Sequence, residues 1–152
     1  MVMMFDCIAT GGLLHNTDVM LTPEQKEQIG KYNAHIFSHG IQPIFASQAW
    51  QNSLEGYLSG VGCVAGHLQY YVSAYGDVAP CDFTPLSFGN LREEPLKQIW
   101  KRVIRHPAYN HVSRRCRMQN HEFRRFYVDP IPDDAILPYP VEKLPRMDYR
   151  TP

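Results

Sequence analysis

At 152 residues, with 44% hydrophobic side chains, the chain can bury a moderate core and form one domain or one and a half. Fifteen basic and fifteen acidic residues leave a formal net charge of zero, and no Lys/Arg stripe follows any expected element, which argues against nucleic acid or an anionic membrane as partner. No apolar run reaches transmembrane length and Met1 to Cys7 lack the charged start of a signal peptide, so a cytoplasmic protein is expected, its four cysteines thiols or metal ligands rather than disulfides.

Residues 2–8 are apolar at nearly every position, as suits a strand buried on both faces of a parallel sheet, with Cys7 a core thiol on it. Thr10-Gly11-Gly12 reads as a plain turn rather than a phosphate or cofactor contact. Thr22 is a good N-cap, with Pro23 at the first helical position and Gln25 completing a capping box. The helix continues through Ile29, Tyr32 and Ile36 towards Ser38, and Gly40 stops it. Gln42 to Ser47 reads as a second strand. Strand, helix and strand form a βαβ unit that leaves an apolar edge at residues 2–8, as if entering a larger sheet partway through.

Gln69 to Pro80 reads as two short strands turning at Gly76-Asp77, which brings Cys63 and Cys81 to the same open end of a hairpin. Cys116 offers a third thiolate from a later segment. Soft, anionic sulfur donors suit iron in a sulfide-bridged cluster, or zinc; the plain alternative is three buried apolar thiols. Glu93-Glu94-Pro95 opens a second helix, on which Leu96, Ile99, Trp100, Val103 and Ile104 form a core face, and His106-Pro107 ends it. A short helix over Glu122 to Phe126 follows. Six prolines in the twenty-three residues from Pro130 point to an extended tail lying over the surface. Tyr70, Tyr71, Tyr75 and Trp100 are expected in a small core rather than along a substrate channel. Arg114-Arg115-Cys116-Arg117 and Arg124-Arg125 read as a solvated face or a pocket wall.

Five words occur in order: Gly62-Cys63-Val64-Ala65-Gly66, then Tyr71 through Gly76 to Cys81 in the spacing Cys63-x12-Gly76-x4-Cys81, then Ser87-Phe88-Gly89-Asn90-Leu91, Leu96-Lys97-Gln98-Ile99-Trp100 and Cys116-Arg117-Met118. Together they resemble the SPASM domain, or its shortened twitch form, the cysteine-bearing C-terminal extension of radical SAM enzymes. The resemblance implies a mixed α+β fold. Residues 1–50 would be a remnant of the last units of a partial β/α barrel, 51–129 the auxiliary-cluster domain and 130–152 a proline-rich tail. It also implies that Cys63, Cys81 and Cys116 hold one iron–sulfur cluster of the [4Fe-4S] type. Full SPASM domains hold two clusters and carry a Cys-x2-Cys pair, which this chain lacks, so at most one cluster is expected. The fourth cluster position stays open: vacant, taken by substrate, or filled by His67, His121 or Asp82, although the plain reading of both histidines is as surface residues.

The sequence has no Cys-x3-Cys-x2-Cys, the triplet through which the family binds its S-adenosylmethionine cluster. No S-adenosylmethionine site is expected in this chain, and it should not be catalytic alone. A truncated, split or fragmentary radical SAM protein fits these features. Its expected partners are a separately encoded radical SAM barrel or a peptide or protein substrate. Two further readings differ in class: a cluster-free interaction module docking a separate barrel through residues 2–8, and, more weakly, a structural zinc site.

Overall fold

The computed structural model describes residues 3–4, 7–40, 44–45, 63–113 and 116–145. At the first helix start, Thr22 N donates to Gln25 Oε1 (2.8 Å) and Gln25 N donates to Thr22 Oγ1 (3.2 Å). This reciprocal capping box satisfies N–H groups that a helix start otherwise leaves without partners. The helix, α1, spans Pro23–Ser38, and the chain turns out of it at Gly40 with φ +77°. It connects β1 (Met3–Met4) to β2 (Ile44–Phe45), which pair in parallel with Met3 opposite Ile44 and Met4 opposite Phe45. The expected βαβ order is present, but Cys7 and Ile8 have already left the strand. The burial of the β1 edge lies outside the described residues.

The second half carries two more strand pairs. β3 (Tyr71–Val72) and β4 (Val78–Ala79) are antiparallel, with Tyr71 opposite Ala79 and Val72 opposite Val78. Ser73 N donates to Asp77 O (2.9 Å) and Gly76 N to Ser73 O (3.0 Å), closing the loop where Gly76 takes φ +95°. β5 (Leu86–Ser87) pairs in parallel with β6 (Tyr139–Pro140). Among the described residues this half also carries two α-helices, α2 (Leu96–Arg105) and α3 (His121–Tyr127). The fold is mixed α+β, with sheets of two strands each.

The proline-rich tail is more engaged than its composition suggests. Ile131 (2% exposed) and Val141 (8%) are buried, and Tyr139 N donates to Pro85 O at 2.6 Å. A proline brings no N–H to a ladder, but Tyr139 supplies the donor that β5 needs, so Pro140 is tolerated on this edge.

One core joins both halves. Ile8 and Leu14 pack in the same cluster as Val78, Leu86, Phe88, Ile99, Val103, Tyr109, Phe123 and Val128. From α2 only Ile99 and Val103 are enclosed, both at 0%, whereas Leu96, Trp100 and Ile104 stay 38–45% exposed, so its apolar stripe is narrower than the periodicity implied. Around it Phe88, His106, Tyr109, Phe123 and Tyr127 meet ring to ring at 5.2–5.9 Å, contacts worth about 0.5–1.5 kcal/mol each beyond their buried area. Polar bonds fasten the N-terminal segment to this core: Thr10 Oγ1 donates to Phe83 O (2.9 Å), and Lys26 Nζ to Gln119 Oε1 (3.0 Å).

Candidate metal centre

Backbone hydrogen bonds join the three cysteine segments. Cys63 N donates to Ser113 O at 2.7 Å in an antiparallel bridge, three residues before Cys116. Gly66 N donates to Pro80 O at 3.0 Å, the residue before Cys81. The 63–66 stretch is therefore bonded to both of the other cysteine segments. Only glycine suits position 66: its φ is +73°, and an added Cβ would stand 2.7 Å from Val103 Cγ1 and 3.3 Å from Tyr109 Cδ1.

Cys81 and Cys116 open turns of the same kind. Thr84 N bonds to Cys81 O (3.3 Å), and Gln119 N bonds to Cys116 O (3.1 Å). In both turns the backbone N–H groups two and three residues on draw the cysteine pKa down: Phe83 and Thr84 for Cys81, Met118 and Gln119 for Cys116. Such donors favour a charged sulfur and are one of the means by which proteins tune iron–sulfur clusters. Thr84 Oγ1 also lies 3.0 Å from Cys81 Sγ and 3.3 Å from the Tyr109 hydroxyl, so a hydrogen-bonded chain runs from the sulfur into the core.

Burial acts in the opposite direction. Cys63 and Cys116 are buried, and Cys81 is partly exposed as a residue although its sulfur is enclosed. Desolvation, followed by the charges of Cys63 and Cys81, pushes the Cys116 thiol up to about 12. Desolvation likewise raises Cys81, with the charge of Cys63 adding to it and the Thr84 hydroxyl opposing it. The three sulfurs therefore lie within one another's field. Without a cation Cys81 and Cys116 hold their protons; a metal group among the sulfurs would replace those protons with its own positive charge. Soft donors, mutual proximity and backbone N–H groups that favour a charged sulfur fit a thiolate-held cluster.

Among the described residues, no three His, Cys, Asp or Glu side chains gather as a single metal ion would require. A tetrahedral zinc ion asks for every donor within about 2.0–2.3 Å of one point. A cluster spreads its thiolates over several irons and accepts a wider set. Of the candidate fourth ligands, Asp82 is exposed and accepts from Gln69 Nε2 (3.2 Å), and His121 is exposed at the start of α3. His67 is half-buried, and its enclosed Nε2 has no partner among the described residues.

Several sequence expectations need correction. Cys7 is exposed rather than a core thiol, because the chain leaves β1 before reaching it. Tyr71, Tyr75 and Trp100 are 45%, 75% and 45% exposed, so they do not form a small core. Tyr70 alone packs inward: its hydroxyl donates to Gly66 O (2.6 Å), its ring meets Trp100 edge-on, and burial pushes its pKa up to about 12. Arg117 and Arg124 are not on a solvated face but buried. A partial clue to Arg124 was its place beside Phe123 and one turn before Tyr127, on the buried side of α3.

Residues 63–126 match the SPASM family, described as an iron–sulfur cluster-binding domain. The chain is also 42% identical over 40 residues to an AdoMet-dependent heme synthase of Methanosarcina barkeri (strain Fusaro / DSM 804), a match covering 26% of this chain and 12% of that protein's length. No solved structure matches. Among the described residues no helix is long and apolar enough to cross a membrane. The matched span begins at Cys63 and includes Cys81 and Cys116, and over it the chain is similar to the SPASM family of iron–sulfur cluster-binding domains.

Proposed function

We propose that Cys63, Cys81 and Cys116 together hold one auxiliary [4Fe-4S] cluster, and that this chain serves a radical SAM reaction in the cytoplasm without performing it alone. The pair of like turns at Cys81 and Cys116 carries this reading, each opening at a sulfur whose charged form two backbone N–H groups favour and which lies in the field of its neighbours. When bound, the cluster would supply one-electron transfer or a Lewis-acidic hold on substrate. The protein's own part is to fix the three sulfurs through the Ser113 and Pro80 bridges and to shield them from water. His67, with its unpartnered ring nitrogen, is the best-supported protein donor for the fourth position. The Cys-x3-Cys-x2-Cys triplet is not among these 152 residues, so radical generation is assigned to a radical SAM barrel outside them, and the proposed partners are a separately encoded barrel or a peptide or protein substrate.

Anaerobic reconstitution with iron and sulfide tests this reading. Bound iron and sulfide are expected, with a visible charge-transfer band that dithionite bleaches and that Cys63→Ala, Cys81→Ala and Cys116→Ala each abolish. A folded, colourless, iron-free wild-type protein refutes it. That outcome favours a second reading, a cluster-free module docking a separate barrel, for which the exposed Leu68, Tyr71, Val72 and Tyr75 on and beside the hairpin offer apolar surface.

A further inference from the structure

Two arginines are sealed beside the cysteines, and neither forms an ion pair among the described residues. Arg117, adjacent to Cys116, is 4% exposed, and Arg124, on α3, is 2% exposed. Among the described residues, all their hydrogen bonds end on neutral backbone carbonyls. Arg117 Nε donates to Ala108 O (2.8 Å) and Nη2 to His111 O. Arg124 Nη1 donates to Ala9 O (3.0 Å) and Met118 O (3.1 Å), and Nη2 to Leu14 O. Arg117 Nη1 and Arg124 Nε have no partner among the described residues. The ion pairs among those residues lie elsewhere, at His15–Asp133, Lys31–Glu27 and Arg102–Glu94.

Carbonyl dipoles reduce the cost of enclosing a guanidinium, the Tyr109 ring faces Arg117 at 5.0 Å and Asp129 acts on Arg124 from beyond ion-pair distance, but none of these is a contact ion pair, and incompletely paired buried charge is costly. The cysteine set can supply the missing anion. Arg124 interacts with the charge of Asp129 and then with that of Cys116, and Tyr109 lies in the fields of Cys81, Arg117 and Cys63 together, so guanidinium groups and sulfurs share one enclosed region.

We propose that Arg117 and Arg124 are fixed counter-cations of the cluster at Cys63, Cys81 and Cys116 and raise its reduction potential. The inference rests on the cluster reading above. Three thiolates on a doubly positive [4Fe-4S] core leave one net negative charge, and reduction by one electron makes it two. Two guanidinium groups match the reduced state. The electron comes from an external one-electron donor, dithionite in the assay, and no bond or proton moves. Arginine keeps its proton across the accessible pH range, so the contribution does not titrate away.

The full chain is reconstituted anaerobically as wild type, Arg117→Gln, Arg117→Lys, Arg124→Gln and Arg124→Lys; iron and sulfide are assayed, and potentials are read by spectroelectrochemistry. Each glutamine variant should make reduction about tenfold less favourable, or about 59 mV for one electron, while the lysine variants stay within about twofold of wild type. Loaded glutamine variants within about twofold of wild type overturn the inference and leave the cluster reading standing. A wild-type protein that takes up no iron overturns both. Where Arg124→Gln does not fold, because its bonds to Ala9 and Leu14 are lost, the Arg117 pair carries the test: equal potentials for Arg117→Gln and Arg117→Lys overturn the inference.

Discussion

Replacing Gly66 by alanine tests whether the cysteine segments are held together as described. Position 66 takes φ +73°, where a side chain costs about 1–2 kcal/mol. The new methyl would stand 2.7 Å from Val103 Cγ1 and 3.3 Å from Tyr109 Cδ1. Both neighbours are fully enclosed, at 0% exposure, so neither can swing into solvent. Overpacking of this kind adds about 1–3 kcal/mol, giving a total of about 2–5 kcal/mol against the 5–15 kcal/mol typical of a whole domain. The damage falls on the site, because Gly66 N donates to both Gln69 O and Pro80 O, and displacing it separates Cys63 from Cys81. Urea unfolding followed by far-ultraviolet circular dichroism measures the loss. With a slope of about 2 kcal/mol/M, the midpoint should drop by roughly 1–2.5 M. Gly12→Ala is the control: its φ is outside the left-handed region, and no atom lies within 4 Å of the added methyl. It should change stability by less than about 0.5 kcal/mol. A Gly66→Ala protein as stable as the Gly12→Ala control, with undiminished iron uptake, refutes the reasoning.

Three other perturbations have defined outcomes. Asn120 Oδ1 accepts from Glu122 N (2.8 Å) and Phe123 N (3.1 Å), so Asn120→Ala should destabilise the protein by about 1 kcal/mol in thermal melts, and an unchanged melt would remove the cap from the account. Glu94 is held below its ordinary pKa of 4.5 chiefly by its hydrogen bonds from Arg102, at 2.7 and 2.8 Å. A carboxylate lowered in the folded state contributes stability above its ordinary pKa and loses it as pH falls through the folded value. Stability measured from pH 5 downwards (about half a unit above that ordinary value) should therefore fall less steeply in Glu94→Gln, and parallel curves would contradict the pairing. His106 is pushed below 6.5 by burial, and its Nδ1 accepts from Ala108 N (3.2 Å). Its unfolded form binds the proton more readily, so stability should decline as pH drops through 6.5 towards the folded value. His106→Asn keeps an acceptor near Nδ1 and should remove that slope; a slope that persists assigns it to another group.

What the sequence revealed was mostly local. The capping box at Thr22 and Gln25, the hairpin turn at Gly76 and the end of α2 at His106 each depend on neighbours a few residues apart, and all appear where the motifs place them. The cysteine spacing was equally readable, since Cys63 and Cys81 flank one hairpin. The missed features are all decided at long range. Arg124 is buried because carbonyls at Ala9 and Leu14 receive it, and no charge pattern announces such partners. The tail pairs through Tyr139 because Pro85 leaves a carbonyl free for it, whereas prolines alone suggest loose chain. Tyr75 and Trp100 are apolar enough for a core, but α2 turns only its Ile99 and Val103 stripe inward.

The bonds from Arg124 Nη1 to Ala9 O and from Nη2 to Leu14 O span 115 and 110 residues. Contacts of such sequence separation close the longest loops, so their entropy cost comes before their reward, and chains dominated by them fold slowly. The hairpin and the helices between them close on short loops. The N-terminal segment should therefore lock on last, after Cys63, Cys81 and Cys116 have been brought near one another. Cys63 and Cys116 are shut off from solvent in the finished fold, at 8% and 7% exposure. Order of events then becomes a property of the protein: metal arriving during folding meets open thiols, and metal arriving afterwards must wait for a local opening. Iron uptake should be faster when refolding and reconstitution proceed together than when iron is added to folded apo-protein, and equal rates would show that the segment opens freely.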